Sequence, residues 1–197
     1  LLQELDRRRG GIEQLLALSR LEHGALRGRF RTINASDVVT GVASLYSPVC
    51  EENGIAFEQR ADAGLQVNGI RELLTEMLAN LVDNAVRHTP RSGSIRVGAQ
   101  RRDNAIVLFV QDSGPGIPAD MAERIFERFF QIPGSTGGGA GLGLALSREI
   151  AALHGGTLTL INPGQKGALF EARFPAYRPP AAPTGAASPD RARSSSS

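Results

Sequence analysis

Ile70-Arg71-Glu72-Leu73-Leu74-Thr75-Glu76-Met77-Leu78-Ala79-Asn80-Leu81-Val82-Asp83-Asn84-Ala85-Val86-Arg87-His88 is the stretch around which the chain organises. Its apolar positions (Ile70, Leu73, Leu74, Met77, Leu78, Leu81, Val82, Ala85 and Val86) follow a helical period, and Thr89-Pro90 stops the helix. Glu76, Asn80, Asp83, Asn84 and Arg87 recur at i, i+4, i+7, i+8 and i+11. At roughly 100° per residue they share about 100° of arc, a single polar face. A solvated helix face carries such a stripe too, but draws mostly on Glu, Lys and Arg. Here Asn, a poor helix former, appears twice. Amide oxygens, carboxylates and a guanidinium on one ridge suit a hydrated magnesium ion beside phosphates.

Working outward, residues 94–101 and 105–111 predict two strands joined by a turn at Asp103-Asn104. Upstream, Asp37 is the expected N-cap of a helix carrying Val38, Val42, Leu45 and Val49 and ending before Gly54. Residues 55–58 and 65–67 predict strands. Residues 142–153 predict a helix closed by Gly155-Gly156, and residues 157–161 and 168–174 a final hairpin. Helices and strands in unequal runs, with hairpins between, predict an α+β two-layer sandwich with a mixed sheet.

This domain is expected over residues 35–175. Residues 1–24 predict a helix with Leu1, Leu5, Ile12, Leu15 and Leu16 on one narrow stripe, which needs a partner because Gly10-Gly11 interrupts it. Residues 25–34 read as a linker. Residues 176–197, rich in Pro, Ala, Gly, Ser and Arg, have almost nothing to bury and read as a disordered tail. Leu1 in place of a start methionine reads as a piece of something longer.

The 197 residues carry 22 Lys+Arg and 20 Asp+Glu, a net charge of +2, and the pI is about 9.2. By region the net is +3 over residues 1–31, −3 over 32–175 and +2 over 176–197. The basic charge thus lies at the ends, whereas a nucleic-acid reader needs it clustered on its folded body. No apolar run is long enough to span a membrane, and Arg7, Arg8 and Arg9 break any signal-peptide pattern. The lone Cys50 excludes an internal disulfide and fits a reducing compartment.

Asp112-Ser113-Gly114-Pro115-Gly116-Ile117 follows the second strand of the central hairpin. These are turn residues. They also place a carboxylate at a strand end, where it can accept from an exocyclic amine, beside glycines that let a flat ring approach the backbone. The stretch from Gly114 to Ala119 fits G-x-G-x-x-A, but Pro115 and Pro118 stand where the turn and helix should begin, and no repeated βαβ unit surrounds it; a dinucleotide-binding fold is rejected. Residues 134–144, GSTGGGAGLGL, run straight into a helix, and glycine-rich backbone at a helix N-terminus is a ready anion site as well as a flexible linker composition. The lone Lys166 lacks the context of an ordinary P-loop. Between these lies Glu123-Arg124-Ile125-Phe126-Glu127-Arg128-Phe129-Phe130, whose three phenylalanines suit core packing or an aromatic lid equally. His23 and His154 read as surface or capping residues. No zinc spacing and no G-x-S-x-G elbow occurs.

Taken in order, these segments resemble the catalytic and ATP-binding domain of a bacterial two-component sensor histidine kinase. Residues 76–90, EMLANLVDNAVRHTP, resemble its N box. Asp112 to Ile117 resemble the first glycine box, Glu123 to Phe130 the F box, and residues 139–146, GAGLGLAL, the second. His154-Gly-Gly-Thr and the closing hairpin follow as in the family, and Leu18-Ser-Arg-Leu-Glu resembles the second helix of the dimerising, phosphoaccepting hairpin. The resemblance implies a Bergerat-type α/β sandwich holding ATP and Mg2+ under a mobile lid. It implies that Asn80 holds magnesium, with Asn84 beside it on metal or phosphate, and that Glu76 polarises the nucleophile. Arg87 and His88 are implied to meet phosphate or ribose, and Asp112 the adenine amine, with Gly114, Gly116 and Ile117 lining the ring. Phe130 is implied to belong to the ATP site, and Gly139, Gly141, Leu142, Gly143 and Leu144 to close over the phosphates.

The implied reaction is transfer of the γ-phosphoryl group to an imidazole nitrogen. Implied partners are the histidine-bearing hairpin of a homodimeric parent and, indirectly, a response regulator. The implied location is cytoplasmic, with the parent in the bacterial inner membrane. Two departures stand out. Ala168 occupies a position where the family usually has Thr, which removes a water-mediated adenine contact. The phosphoacceptor box is absent, so this chain is expected to bind ATP without phosphorylating itself. The alternatives are an ATP-hydrolysing member of the superfamily, with Glu76 activating water, and a non-catalytic nucleotide-gated module.

Overall fold

The computed structural model describes residues 27–133 and 140–177. The proposed helix of residues 1–24, part of the linker, Gly139 and most of the tail lie outside them. In chain order the elements are β1 (Arg31–Asn34), α1 (Ala35–Glu52), β2 (Ala56–Ala61), β3 (Gln66–Gly69), α2 (Arg71–His88), β4 (Ser94–Arg102), β5 (Ala105–Asp112), α3 (Gly143–Leu153), β6 (Thr157–Leu160) and β7 (Leu169–Pro175), with short 3-10 turns at Ala119–Met121 and Arg124–Phe126. A five-stranded sheet runs β2-β4-β5-β7-β6, and β1 and β3 form a separate two-stranded ladder. β2 pairs parallel to β4, and the other contacts are antiparallel. The sheet is therefore mixed and the fold α+β, as the sequence predicts.

The three helices share one layer. Leu74, Leu78, Leu81 and Val82 of α2, Val38, Val39 and Val42 of α1, and Leu146 and Ile150 of α3 pack on Ile95, Val97, Ile106, Leu108, Val110, Phe170 and Phe174 of the sheet. Each buried Leu, Ile, Val or Phe removes apolar area worth about 1.5–3 kcal/mol from water, and this common core fixes the helices over the strands.

Three expectations are corrected. Part of the expected linker is strand: Arg31 to Asn34 pair with Gly69 to Gln66. The N-cap of α1 is Asn34, whose side chain accepts from the Ser36 N–H; Asp37 lies in the first turn and pairs with Arg71. Leu45 and Val49 are not on the core stripe. They are 65% and 39% exposed, and the buried face runs through Val39, Val42, Ala43 and Cys50.

Candidate nucleotide site

Strand alternation explains the aspartate. Ile106, Leu108 and Val110 of β5 face the helices, and a period of two puts Asp112 at the end of that same row. It is 8% exposed. A buried carboxylate needs donors, and Oδ1 accepts from the N–H groups of Gly114 (2.8 Å) and Ala168 (3.2 Å). Burial raises its pKa, opposed by these two bonds and by nearby His88. Burial chiefly, and then Arg87, lowers the pKa of His88, while Asp112 acts the other way.

The loop after Asp112 is strapped to the turn before β7. The Asp112 N–H donates to Ala168 O, Gly167 N–H to Gly114 O, and Gly164 N–H to Ile117 O. Asn162 holds that turn from beneath: its amide nitrogen donates to Gly167 O at 3.1 Å and its oxygen accepts from Leu169 N–H at 2.7 Å. Gly116 has φ +85, and a Cβ there would lie 1.8 Å from the Gln165 carbonyl oxygen. Ile117 is buried beneath the loop. At the other end, Gly114 packs against the His88 carbonyl, which joins the loop to the C-terminal end of α2. Ser113 Oγ accepts from Ser94 N–H at 2.8 Å.

On α2, Glu76, Asn80, Asn84 and His88 are half-buried while Asp83 and Arg87 are exposed. Burial raises the pKa of Glu76. The start of α3 comes to Asn80: a Cβ on Gly143 would lie 3.9 Å from the Asn80 amide oxygen. Among the described residues no side chain caps that end of α3, and its first amides have no partner within the helix. Leu142 is buried and Leu144 half-buried, both anchoring the segment. Gly141 (φ +68) fits tightly against Phe129 and accepts the Phe129 N–H at 2.8 Å.

The 123–130 segment splits between two roles. Phe126 is core, edge-on to Phe170 at 6.2 Å. Phe130 packs partly buried under the Arg124 guanidinium, 4.5 Å away, and Phe129 is 61% exposed. Arg148 of α3 pairs with Glu123 at 3.2 Å and covers Phe126, tying this segment to α3.

Asn80 and Gly143 thus meet, and Asp112, Gly114 and His88 meet. Arg87 is instead engaged with Asp83 on the exposed ridge. Three features are not readable from the sequence. Tyr46 of α1 lies within the influence of Asp83 and Arg87, and its phenol is raised to about 12, mainly by burial. Asn162 is the second. The third is the burial of His154: of the two readings, surface or capping, the cap holds, since His154 is the C-cap of α3, but the residue is buried, with Nε2 accepting from Ile70 N–H at 3.0 Å.

Asn80, Asn84 and Glu76 offer hard oxygen donors of the kind magnesium takes. Among the described residues no three His, Cys, Asp or Glu cluster as a metal cage. No helix among the described residues is long and apolar enough to cross a membrane.

The family model described as "Histidine kinase-, DNA gyrase B-, and HSP90-like ATPase" matches residues 69–178. Sensor protein kinase PmrB of Pseudomonas aeruginosa is 34% identical over 186 residues, 93% of this chain and 39% of that protein. Sensor-like histidine kinase SenX3 of Mycolicibacterium smegmatis is 31% identical over 172 residues, 86% of this chain and 45% of that protein. This chain spans less than half the length of these relatives. Among solved structures, the catalytic domain of histidine kinase ThkA superposes with a TM-score of 0.66 at 29% identity, covering 75% of this chain and 97% of that one. Full-length ShkA in complex with AMPPNP gives 0.77 at 28% identity, covering 88% of this chain and 37% of that one.

Proposed function

Because this chain belongs to the histidine kinase-, DNA gyrase B- and HSP90-like ATPase family, we propose that it is the ATP-binding catalytic unit of a sensor histidine kinase. In this reading it passes the γ-phosphoryl group to a histidine on another segment of its parent. Adenine lies against Asp112, which accepts the exocyclic amine while Gly114, Gly116 and Ile117 shape the floor. The phosphates lie toward Asn80 and the amides at the start of α3, where the helix dipole favours anions. Asn80 and His88 are eight residues apart, about 12 Å along α2, so one helix serves both ends of the nucleotide.

Magnesium, held by Asn80 with Asn84 beside it, neutralises phosphate charge when bound. Glu76, half-buried on the same ridge, orients the incoming imidazole and accepts its proton. Arg87 meets phosphate or ribose once it leaves Asp83, and His88 stays neutral near the base. Gly139, Gly141, Leu142, Gly143 and Leu144 close over the phosphates, with Phe130 beneath. The phosphoacceptor hairpin of a homodimeric parent is the direct partner and a response-regulator receiver domain the indirect one. The unit faces the cytoplasm, and the parent is anchored in the inner membrane.

The observation that carries this reading is the meeting of Gly143 with Asn80 while Gly114 joins Asp112 to His88. Calorimetric titration with a non-hydrolysable ATP analogue, with and without magnesium, tests it: binding is expected, and tighter with magnesium. Incubation with γ-labelled ATP is expected to label a supplied acceptor hairpin and leave this chain unlabelled. Stoichiometric acid-labile label on the chain itself, or steady phosphate release without any acceptor, contradicts it.

A further inference from the structure

α2 and α3 run antiparallel, and three contacts descend the seam between them. Gly143 lies beside Asn80. Ser147 Oγ donates to Gly143 O at 2.8 Å and lies 3.4 Å from Met77 O. His154 reaches Ile70. The last contact is built most specifically. Nδ1 of His154 lies 2.7 Å from Ile150 O, so it carries the proton and donates, which leaves the Nε2 lone pair to accept Ile70 N–H at 3.0 Å. Ile70 is the N-cap residue of α2, and no side chain of its own provides a cap there. One neutral ring therefore satisfies the entering amide of α2 and a last-turn carbonyl of α3.

The ring has no room to shift. Phe30 lies over it at 5.1 Å, Phe174 meets it edge-on at 6.2 Å, and Gly69 is so close that a Cβ there would lie 2.5 Å from Cδ2. The groups facing it (Phe30, Gly69, Ile150 and Phe174) carry no charge. A packed helix moves as a stiff rod, so an axial slip at His154 arrives undiminished at Gly143. Asp112 is held separately by Gly114 and Ala168, so the base end does not depend on α3.

We propose that His154 is a positioning residue for phosphate binding: its two hydrogen bonds set the axial register of α3 on α2, and that register places Gly143 against Asn80. The inference rests on the reading of this pair as the phosphate end of the ATP site. Its signature is a loss confined to ligands that carry phosphates.

The test compares adenosine with a non-hydrolysable ATP analogue plus magnesium, by calorimetry on the whole chain. His154→Phe keeps a ring between Phe30 and Phe174 and removes both bonds. It is expected to raise the Kd of the ATP analogue about tenfold, the equivalent of about 1.4 kcal/mol, with adenosine within about twofold. His154→Gln returns one donor and one acceptor and is expected to recover most of that loss. If His154→Phe fails to fold, His154→Asn, which keeps only the bond to Ile150, is read in the same way. An unchanged ratio between the two ligands, or equal weakening of both, overturns the inference and leaves the ATP reading standing. A wild-type chain that binds neither ligand overturns both.

Discussion

The backbone N–H of Ala168 donates to Oδ1 of Asp112 across 3.2 Å, and the same oxygen takes the N–H of Gly114 at 2.8 Å. The carboxylate is oriented entirely by main chain, so its charge and its placement can be separated. Asp112→Asn keeps an oxygen for both donors but loses the charged acceptor. Hydrogen bonds to charged groups contribute about 1.5–3 kcal/mol, so affinity for an ATP analogue is expected to fall about 10–100-fold while the melting temperature barely moves. Calorimetry and thermal melts check the two halves, and a large loss of stability would show that Asp112 is chiefly structural.

The side chain at 168 takes no part in that anchoring. Ala168→Thr adds a hydroxyl beside Asp112 that can hold a bridging water. Such a bridge is nearly as good as a direct bond, and adenosine is expected to bind a few-fold more tightly. Weaker binding would mean that this buried position has no room for the larger side chain.

Asn80→Ala removes the amide that meets the start of α3. Wild-type affinity for the ATP analogue is expected to rise with magnesium, and the variant to lose that dependence while retaining adenosine binding. Titrations with the metal and with chelator read it directly, and an undiminished magnesium effect would remove Asn80 from the metal.

Burial lowers the pKa of His154 below its ordinary 6.5. Between the folded value and 6.5 the unfolded chain binds more protons than the folded one, so stability rises with pH in that window. The contribution is full above 6.5 and is lost as the pH falls toward the folded value. Melts between pH 7 and 5 are expected to fall more steeply for wild type than for His154→Gln. Asp112 and Glu76 are raised by burial and act with the opposite sign, in windows above 3.8 and 4.5, but both remain in the variant and leave the difference unchanged. Parallel curves would place no coupled proton on His154.

Gly116→Ala must find space where the Gln165 carbonyl already stands, at a backbone conformation that L-residues rarely adopt. A loss of at least about 2 kcal/mol in unfolding free energy is expected, measured by urea denaturation. A change below about 0.5 kcal/mol would mean that the strap between this loop and the 162–168 turn yields freely.

What was legible in the sequence was what local periodicity encodes. The 3.6-residue pattern of α2 and the alternation ending at Asp112 announced both their elements and their polar groups. β1 was not legible: Thr32 and Ile33 alternate too briefly to signal a strand, and only distant Asn68 and Val67 make them one. The capping place of His154, just before Gly155, is local and readable, but its burial is not, because the residues that enclose it, Phe30, Gly69 and Phe174, come from three remote segments. Asn162 sits in turn composition, and its partners across the turn appear only once the hairpin has closed.

The short ladder of β1 and β3 also draws the two ends of the described body together. Asn34, at the end of β1, pairs with Gln66, and Gln66 O takes the N–H of Tyr177. Incoming and outgoing chain are fastened to one corner, a few strand residues apart. The chain's entry into the folded body and its exit from it therefore share one neighbourhood.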